Sequence, residues 1–244
     1  MEPIFLGITQ GLTEFLPISS SGHLYLLKNC LKLNYQVLPF FVFLHLATLL
    51  AVCLYLKREI ILSLRNRRRL LYIGIVAITT FFIGWIIDTY LRSYFNSKFL
   101  VSGLFLINGV ILLSLKSYTQ KRSIDSLTLK DALVLGILQG LAVLPGISRS
   151  GITIFVLLKR GFKIKEAFSF SFLMAIPVVI GVFLIKIKEL SNLRLPAVDL
   201  TSSFISAFVF GLLALVAVKN ALINKRFANF GYYCIIVSLL VLLR

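Results

Sequence analysis

The chain is short of charge. Of its 244 residues only 14% are Asp, Glu, Lys or Arg, and nine are acidic. A soluble domain carries about a quarter charged residues, so this sequence cannot clothe a water-facing globule of its own length. Cysteine is scarce: Cys30, Cys53 and Cys234 stand alone. Their isolation excludes the paired spacings of zinc and redox sites and reads as small apolar residues within helices. No basic segment follows Met1-Glu2-Pro3, so no cleaved signal peptide is expected. There are two histidines, His23 and His45.

What is abundant is apolar: 59% of the residues, with a mean hydropathy of +0.96. They arrive in long runs. Residues 40–56, 70–87 and 99–115 contain no Asp, Glu, Lys or Arg, and a helix needs about 20 such residues to cross a bilayer core. The net charge of +17 does not imply nucleic acid. The Lys and Arg sit in the short segments between apolar runs, as the topogenic bias of a membrane protein requires.

Six spans are expected, at about 39–57, 70–88, 99–116, 167–187, 202–219 and 229–243. Two further apolar stretches, residues 3–30 and 130–158, are broken by Pro17-Ile18-Ser19-Ser20-Ser21-Gly22 and by Pro145-Gly146-Ile147-Ser148-Arg149-Ser150-Gly151. Non-helical backbone at membrane depth must be buried in protein or line a wet cavity. Both stretches therefore read as re-entrant helical hairpins.

The two stretches are copies. An ungapped shift of 129 residues places Gly7, Ile8, Gln10, Gly11 and Leu12 on Gly136, Ile137, Gln139, Gly140 and Leu141. It also places Ile18, Ser19, Ser21 and Gly22 on Ile147, Ser148, Ser150 and Gly151, nine identities in sixteen positions. Each half holds one hairpin and three spans, and an odd number of crossings inverts the second half. The expected fold is an all-α integral membrane protein: six transmembrane helices plus two re-entrant hairpins in an inverted-topology repeat. It forms a single membrane domain, with halves at about 1–125 and 126–244. This is an architecture of transporters, whose broken helices meet near the midplane.

Charge orients it. The loops at 57–69, 116–130, 159–165 and 219–226 hold 17 Lys and Arg, and the other side holds 8. The richer side should be cytoplasmic. The first hairpin then opens from outside, and both termini lie outside. Arg65-Asn66-Arg67-Arg68-Arg69 reads as the main cytoplasmic anchor, within reach of anionic headgroups.

Ionisable residues at membrane depth are functional candidates, here Glu14, His23, His45 and Arg149. Gln10 and Glu14 are four apart and share a helical face. They can hold a hard divalent cation together with substrate oxygens, or Glu14 can accept a hydroxyl proton. A packing hydrogen bond is the plain alternative. Ser19, Ser20 and Ser21 precede a short helix, where a serine caps and free N–H groups also bind anions. His23 can serve as general acid, base or nucleophile. Arg149, between Ser148 and Ser150, suits two-point phosphate binding. An ion pair with Glu14 would explain both charges but not the flanking serines. His45 is either a supporting group or a helix–helix hydrogen bond.

These motifs resemble those of the undecaprenyl-diphosphate phosphatase family, the bacitracin-resistance proteins. The (Glu/Gln)-x-x-x-Glu segment is Gln10-Gly11-Leu12-Thr13-Glu14, which continues into Phe-Leu-Pro-(Ile/Val)-Ser-Ser-x-Gly-His at residues 15–23. Pro-Gly-x-Ser-Arg-Ser-Gly-x-Thr is matched at residues 145–153, and residues 43–52 and 171–177 are also similar. The resemblance implies removal of one phosphate from a C55 isoprenyl diphosphate at the outer side of the cytoplasmic membrane. By it, Glu14 and Gln10 match a metal-linked pair for Mg²⁺ or Ca²⁺, although many members carry Glu where Gln10 stands. Ser20 and His23 match the proposed nucleophile and its proton partner, Arg149 and Ser148 the diphosphate binders. Ser19, Ser150 and Thr153 join the expected binding set. The expected partners are the polyprenyl diphosphate lipid and the membrane, without nucleic acid and with a homodimer left open.

Two other readings compete. A lipid-carrier transporter or flippase would use the same architecture without releasing phosphate. A phosphatidic-acid-type phosphatase shares Ser21-Gly22-His23 but needs a later His. None follows His45, and Phe155 occupies the required position.

Overall fold

The apolar runs become helices. The structure, a computed structural model, describes residues 2–31, 37–91, 94, 97–115, 118–190, 193 and 195–243. Five of the cations counted for orientation, Lys32, Arg92, Lys116, Arg194 and Arg244, lie outside them. In chain order the helices are α1 (Glu2–Phe15), α2 (Ser20–Leu31), α3 (Val37–Tyr55), α4 (Lys57–Leu64), α5 (Arg67–Leu91) and α6 (Lys98–Leu113). There follow α7 (Leu129–Leu141), α8 (Arg149–Lys159), α9 (Ile164–Leu190), α10 (Ala197–Ile223) and α11 (Phe230–Leu243). No strand forms among the described residues; Arg122 and Phe162 make one isolated bridge.

Among the described residues three helices, α5, α9 and α10, are long and apolar enough to cross a membrane. The end of the expected 39–57 span falls at a bend: α4 turns from α3 by 79°. Lys57, Arg58 and Glu59 open α4, and these charges belong at an interface rather than in hydrocarbon. Helix α6 and the stretch Phe227–Leu243 are apolar but shorter. Many large apolar side chains stay exposed on these helices, among them Ile78, Trp85, Leu184, Leu213 and Leu240. In lipid such surfaces are satisfied. The chain is a helical, multi-pass membrane protein.

Both broken stretches are helix, break, helix: α1 with α2, and α7 with α8. Their first arms pack on long helices, α1 on α10 and α7 on α5. Glycine allows the approach. A Cβ at Gly7 would strike the Ser203 carbonyl, and one at Gly136 would lie 2.6 Å from Thr79 Cβ. Close backbone approach through small residues is how helices gain contact in lipid, where burial supplies no drive. Helices α6 and α11 also pair, as do α3 and α9.

The foot of the second hairpin is tied by charge. Asp131, fully buried, accepts from Arg122 Nη2 at 2.7 Å and pairs with Arg160 at the end of α8. It also completes a capping box with Thr128 at the start of α7, which supplies acceptors to otherwise unpaired N–H groups. The basic run expected as an anchor is partly engaged. Arg69 makes a two-point contact with Asp125 at 2.7 and 2.8 Å, and Arg68 donates to the Leu127 carbonyl. The hydrogen bond and charge of Arg69 hold the Asp125 carboxyl below its ordinary range.

Candidate active site

The tips of the two hairpins meet. Helix α1 ends and α8 begins at one place, and the breaks are joined by direct bonds. Ser19 Oγ accepts from the Gly146 N–H at 3.0 Å, and Ser150 Oγ donates to the Phe15 carbonyl at 3.0 Å. The joint needs unusual backbone: Gly146 has φ +117° and Ser19 φ +68°. The first suits glycine, and the second is a conformation that non-glycine residues seldom hold. Ser19 Oγ also accepts from the Gly22 N–H at 3.3 Å, capping α2 as Ser148 caps α8.

Glu14 and Arg149 converge there. Arg149 Nη2 pairs with Glu14 Oε1, and the side chains are 18% and 7% exposed. A cation in the first turn of a helix opposes the helix dipole, so Arg149 would be poorly placed without that carboxylate. The other oxygen, Oε2, accepts from Ser20 Oγ at 2.7 Å and from Gln10 Nε2 at 3.0 Å. His45 Nε2 lies 3.4 Å from it, while His45 Nδ1 faces the Phe41 carbonyl at 2.7 Å. With Nδ1 donating to a carbonyl, the contact to Glu14 is attractive only when both ring nitrogens carry protons.

Two polar atoms in this cluster have no partner among the described residues: Arg149 Nη1 and Gln10 Oε1, both buried. Buried orphans of this kind cost free energy and mark places where a ligand completes the site. Arg149 Nη1 requires an acceptor, as a phosphate oxygen is. Gln10 Oε1 requires a donor or a cation. Gln10 and Glu14 offer oxygen ligands of the kind Mg²⁺ or Ca²⁺ takes, but no group of three His, Cys, Asp or Glu suited to a metal exists among the described residues. The set therefore fits an ion that completes its shell with substrate oxygens and water.

A cavity of about 230 Å³ opens on the cluster. Its polar end holds Glu14, Ser20, Ser21, His45, Ser148 and Arg149, with Thr80 and Gln139 across from the hairpin tips' own residues, and Val42, Val143, Val178, Val179 and Val182 form an apolar wall. The first backbone N–H groups of α2 and α8 lack helical acceptors and add positive potential at their N-termini. The space is below the usual range for a drug-sized ligand, so it suits a head group whose long tail lies outside.

The sequence-derived candidates thus divide. Gln10, Glu14, Ser20, Ser148 and Arg149 gather in one cluster. Ser19, Ser150 and Thr153 are buried, the first two committed to the joint, while Thr153 Oγ1 donates to the Arg149 carbonyl of its own helix at 2.8 Å and shares a 2.6 Å hydrogen bond with Ser171 on α9. His23 faces a separate groove of about 450 Å³ lined by Leu26, Lys98, Tyr233 and Val237. Its Nδ1 donates to the Ser19 carbonyl at 2.8 Å, and Nε2 accepts from the Tyr233 hydroxyl at 2.7 Å. The ring stacks on Tyr233 and meets Phe105 edge-on. If His23 acts by bracing Ser19, Tyr233→Phe should slow turnover only roughly two- to tenfold, the worth of one neutral hydrogen bond. Steady-state rates with the lipid substrate check this; a thousandfold loss would return His23 to proton transfer.

His45 and Asn108 are the residues the sequence undervalued. His45 carried a signal, as one of four ionisable groups at depth. Asn108, buried on α6 and bonded to both breaks, carried none.

Comparison with known proteins bears on this geometry. The family model described as bacitracin resistance protein BacA matches residues 3–240. A protein named undecaprenyl-diphosphatase from Methanococcus maripaludis strain C7 is 40% identical, covering 99% of both chains. One of the same name from Thermosipho melanesiensis is 38% identical over 97% of this chain and 96% of its own. Another from Borreliella burgdorferi strain ZS7 is 37% identical over 99% and 96%. The match runs through both hairpins and every helix between them, and the chain belongs to the bacitracin resistance protein BacA family.

Proposed function

We propose that this protein hydrolyses undecaprenyl diphosphate to undecaprenyl phosphate and inorganic phosphate at the outer side of the cytoplasmic membrane, recycling the lipid carrier for cell-wall synthesis. The observation that carries the reading is Arg149. A half-buried guanidinium is held by one nitrogen on Glu14 and leaves the other, the buried Nη1, without an acceptor among the described residues, beside a cavity. The relatives' shared name supplies the substrate class.

Phosphoryl transfer is catalysed chiefly by positioning and by charge stabilisation. Arg149 and the N-termini of α2 and α8 receive the diphosphate oxygens. Ser20 attacks the terminal phosphorus, and Glu14 Oε2, at 2.7 Å, takes its proton. The bridging P–O bond breaks and the proton passes to the departing lipid monophosphate. Water then adds to phosphorus, the Ser20 Oγ–P bond breaks, and Ser20 recovers a proton from that water. Glu14 and the free Gln10 Oε1 are the residues that would hold Mg²⁺ or Ca²⁺. Such an ion, when bound, neutralises phosphate charge.

The 129-residue shift supports the inverted repeat and its halves at about 1–125 and 126–244. It carries α5 onto α10 and α3 onto α9 in sequence, and the pairings α1 with α10 and α7 with α5 exchange under it. Six crossings, with α3, α6 and α11 joining the three long helices, complete that topology. The cation-rich loops support a cytoplasmic placement of α4 and of the foot at Asp131, which opens the site outward. A homodimer stays compatible with the exposed apolar faces.

The test is phosphate release from C55 diphosphate by purified protein and by right-side-out vesicles with impermeant substrate analogues. Release in both supports the reading. Lipid binding by folded protein without release, with Mg²⁺ or Ca²⁺ supplied, would instead indicate a carrier transporter.

A further inference from the structure

Asn108 is 1% exposed and uses its whole carboxamide. Nδ2 donates to the Pro17 carbonyl at 2.9 Å and to Cys234 Sγ at 3.2 Å, and Oδ1 accepts from the Ser148 N–H at 3.0 Å. The first bond lands on the break between Glu14 and Ser20. The third lands on the cap residue of α8, immediately before Arg149. Both backbone groups lie outside helical ladders, so each depends on a side chain for its partner.

We propose that Asn108 is a positioning residue that fixes the two hairpin tips in register, and so sets Ser20 and Glu14 against Arg149. The proposal rests on the phosphatase reading given above. Its chemistry is directional: a donor must face Pro17 and an acceptor must face Ser148. At this size only a carboxamide or a neutral carboxylic acid presents both. Leucine would fill the space but leave the Ser148 N–H unpaired and the Pro17 carbonyl with only the long 3.8 Å contact from the Cys234 thiol. At the 129-residue offset the counterpart is Val237, so the clamp belongs to one half alone, the asymmetry expected of a site whose charges come unequally from the two hairpins.

Direction makes the idea testable. In Asn108→Asp the neutral acid can donate to Pro17 and accept from Ser148, whereas the carboxylate opposes the Pro17 carbonyl. The titratable and charged groups around position 108 are the Cys234 thiol on α11, Arg149 next to Ser148, and the His23 ring across Phe105. All are present in parent and variant, so the ratio of variant to parent turnover isolates position 108. Burial at this 1%-exposed position raises a carboxyl above its ordinary range, so that ratio should lie within about threefold of one near pH 5 and fall at least about tenfold near pH 8, while Asn108→Leu stays at least about tenfold down at both. Thermal unfolding in detergent, run at each pH, separates activity from folding, and the Asp variant stands if the Leu variant does not fold. An Asn108→Leu ratio within about threefold of one, or an Asn108→Asp ratio as low near pH 5 as that of Asn108→Leu, overturns the clamp. A parent that releases no phosphate counts against the phosphatase reading instead.

Discussion

Arg149→Ala should lose about three orders of magnitude in kcat/KM for phosphate release. One preorganised donor aimed at developing charge is worth about 10²–10³ in rate, and a charge-assisted two-point contact to phosphate adds binding as well. Geometry explains why no neighbour substitutes. Among the described residues Arg149 Nη1 is the one guanidinium nitrogen that is buried and unpaired, while Arg69, Arg122 and Arg160 are bound to Asp125 and Asp131. The same change strips Glu14, at 7% exposure, of its guanidinium partner and leaves it His45 at 3.4 Å. Breaking a buried ion pair costs up to about 3–5 kcal/mol, less where a second partner remains, so the variant should also unfold earlier. The double variant Glu14→Gln, Arg149→Met separates the two effects. It should recover stability and remain inactive, because a matched neutral pair removes the orphan charge but not the need for a phosphate clamp. Arg149→Ala within tenfold of the parent would leave the pair a packing feature.

Ser20→Ala should lose about 10³-fold or more in turnover, the scale on which removing an activated nucleophile acts. Ser20 Oγ donates to Glu14 Oε2 at 2.7 Å and stands at the first position of α2, against the cavity. Ser21 also lines the cavity but shares its hydroxyl with Ser19 at 3.3 Å, so it is no ready substitute. Acid-quenched parent should carry phosphate on Ser20 during turnover, and the variant none. Release by Ser20→Ala within about tenfold of the parent would mean that water attacks directly and that Ser20 only orients it.

Much of this was legible in the residues. The charge-poor composition and the broken runs identified a helical membrane protein with two interrupted helical stretches, because insertion into lipid is decided by local hydropathy and by satisfied backbone bonds. Spacing put Gln10 and Glu14 on one face, and the structure joins them at 3.0 Å. Arg149 stood out because a cation at that depth requires a reason.

Other features were closed to sequence reading. His23 follows Ser20 by three residues, yet its ring leaves the cluster for Tyr233, 210 residues away. Ser20 and His23 stand at the first and fourth positions of α2, about 60° apart around its axis, and line different spaces. Ser150 and Thr153 lie in the right motif but spend their hydroxyls on Phe15, Arg149 and Ser171. His45 joins Glu14 because α3 crosses α1, and Asn108 reaches both breaks because α6 runs behind them.

Sequence by itself therefore determined the solvent this protein folds in, the two stretches where apolar runs break, and which few charges lipid would not tolerate alone. Each depends on neighbours within a turn or on the length of one apolar run. Tertiary structure decided which side chains share the cavity and which brace its walls, since that division is set by helix crossings between residues far apart in the chain.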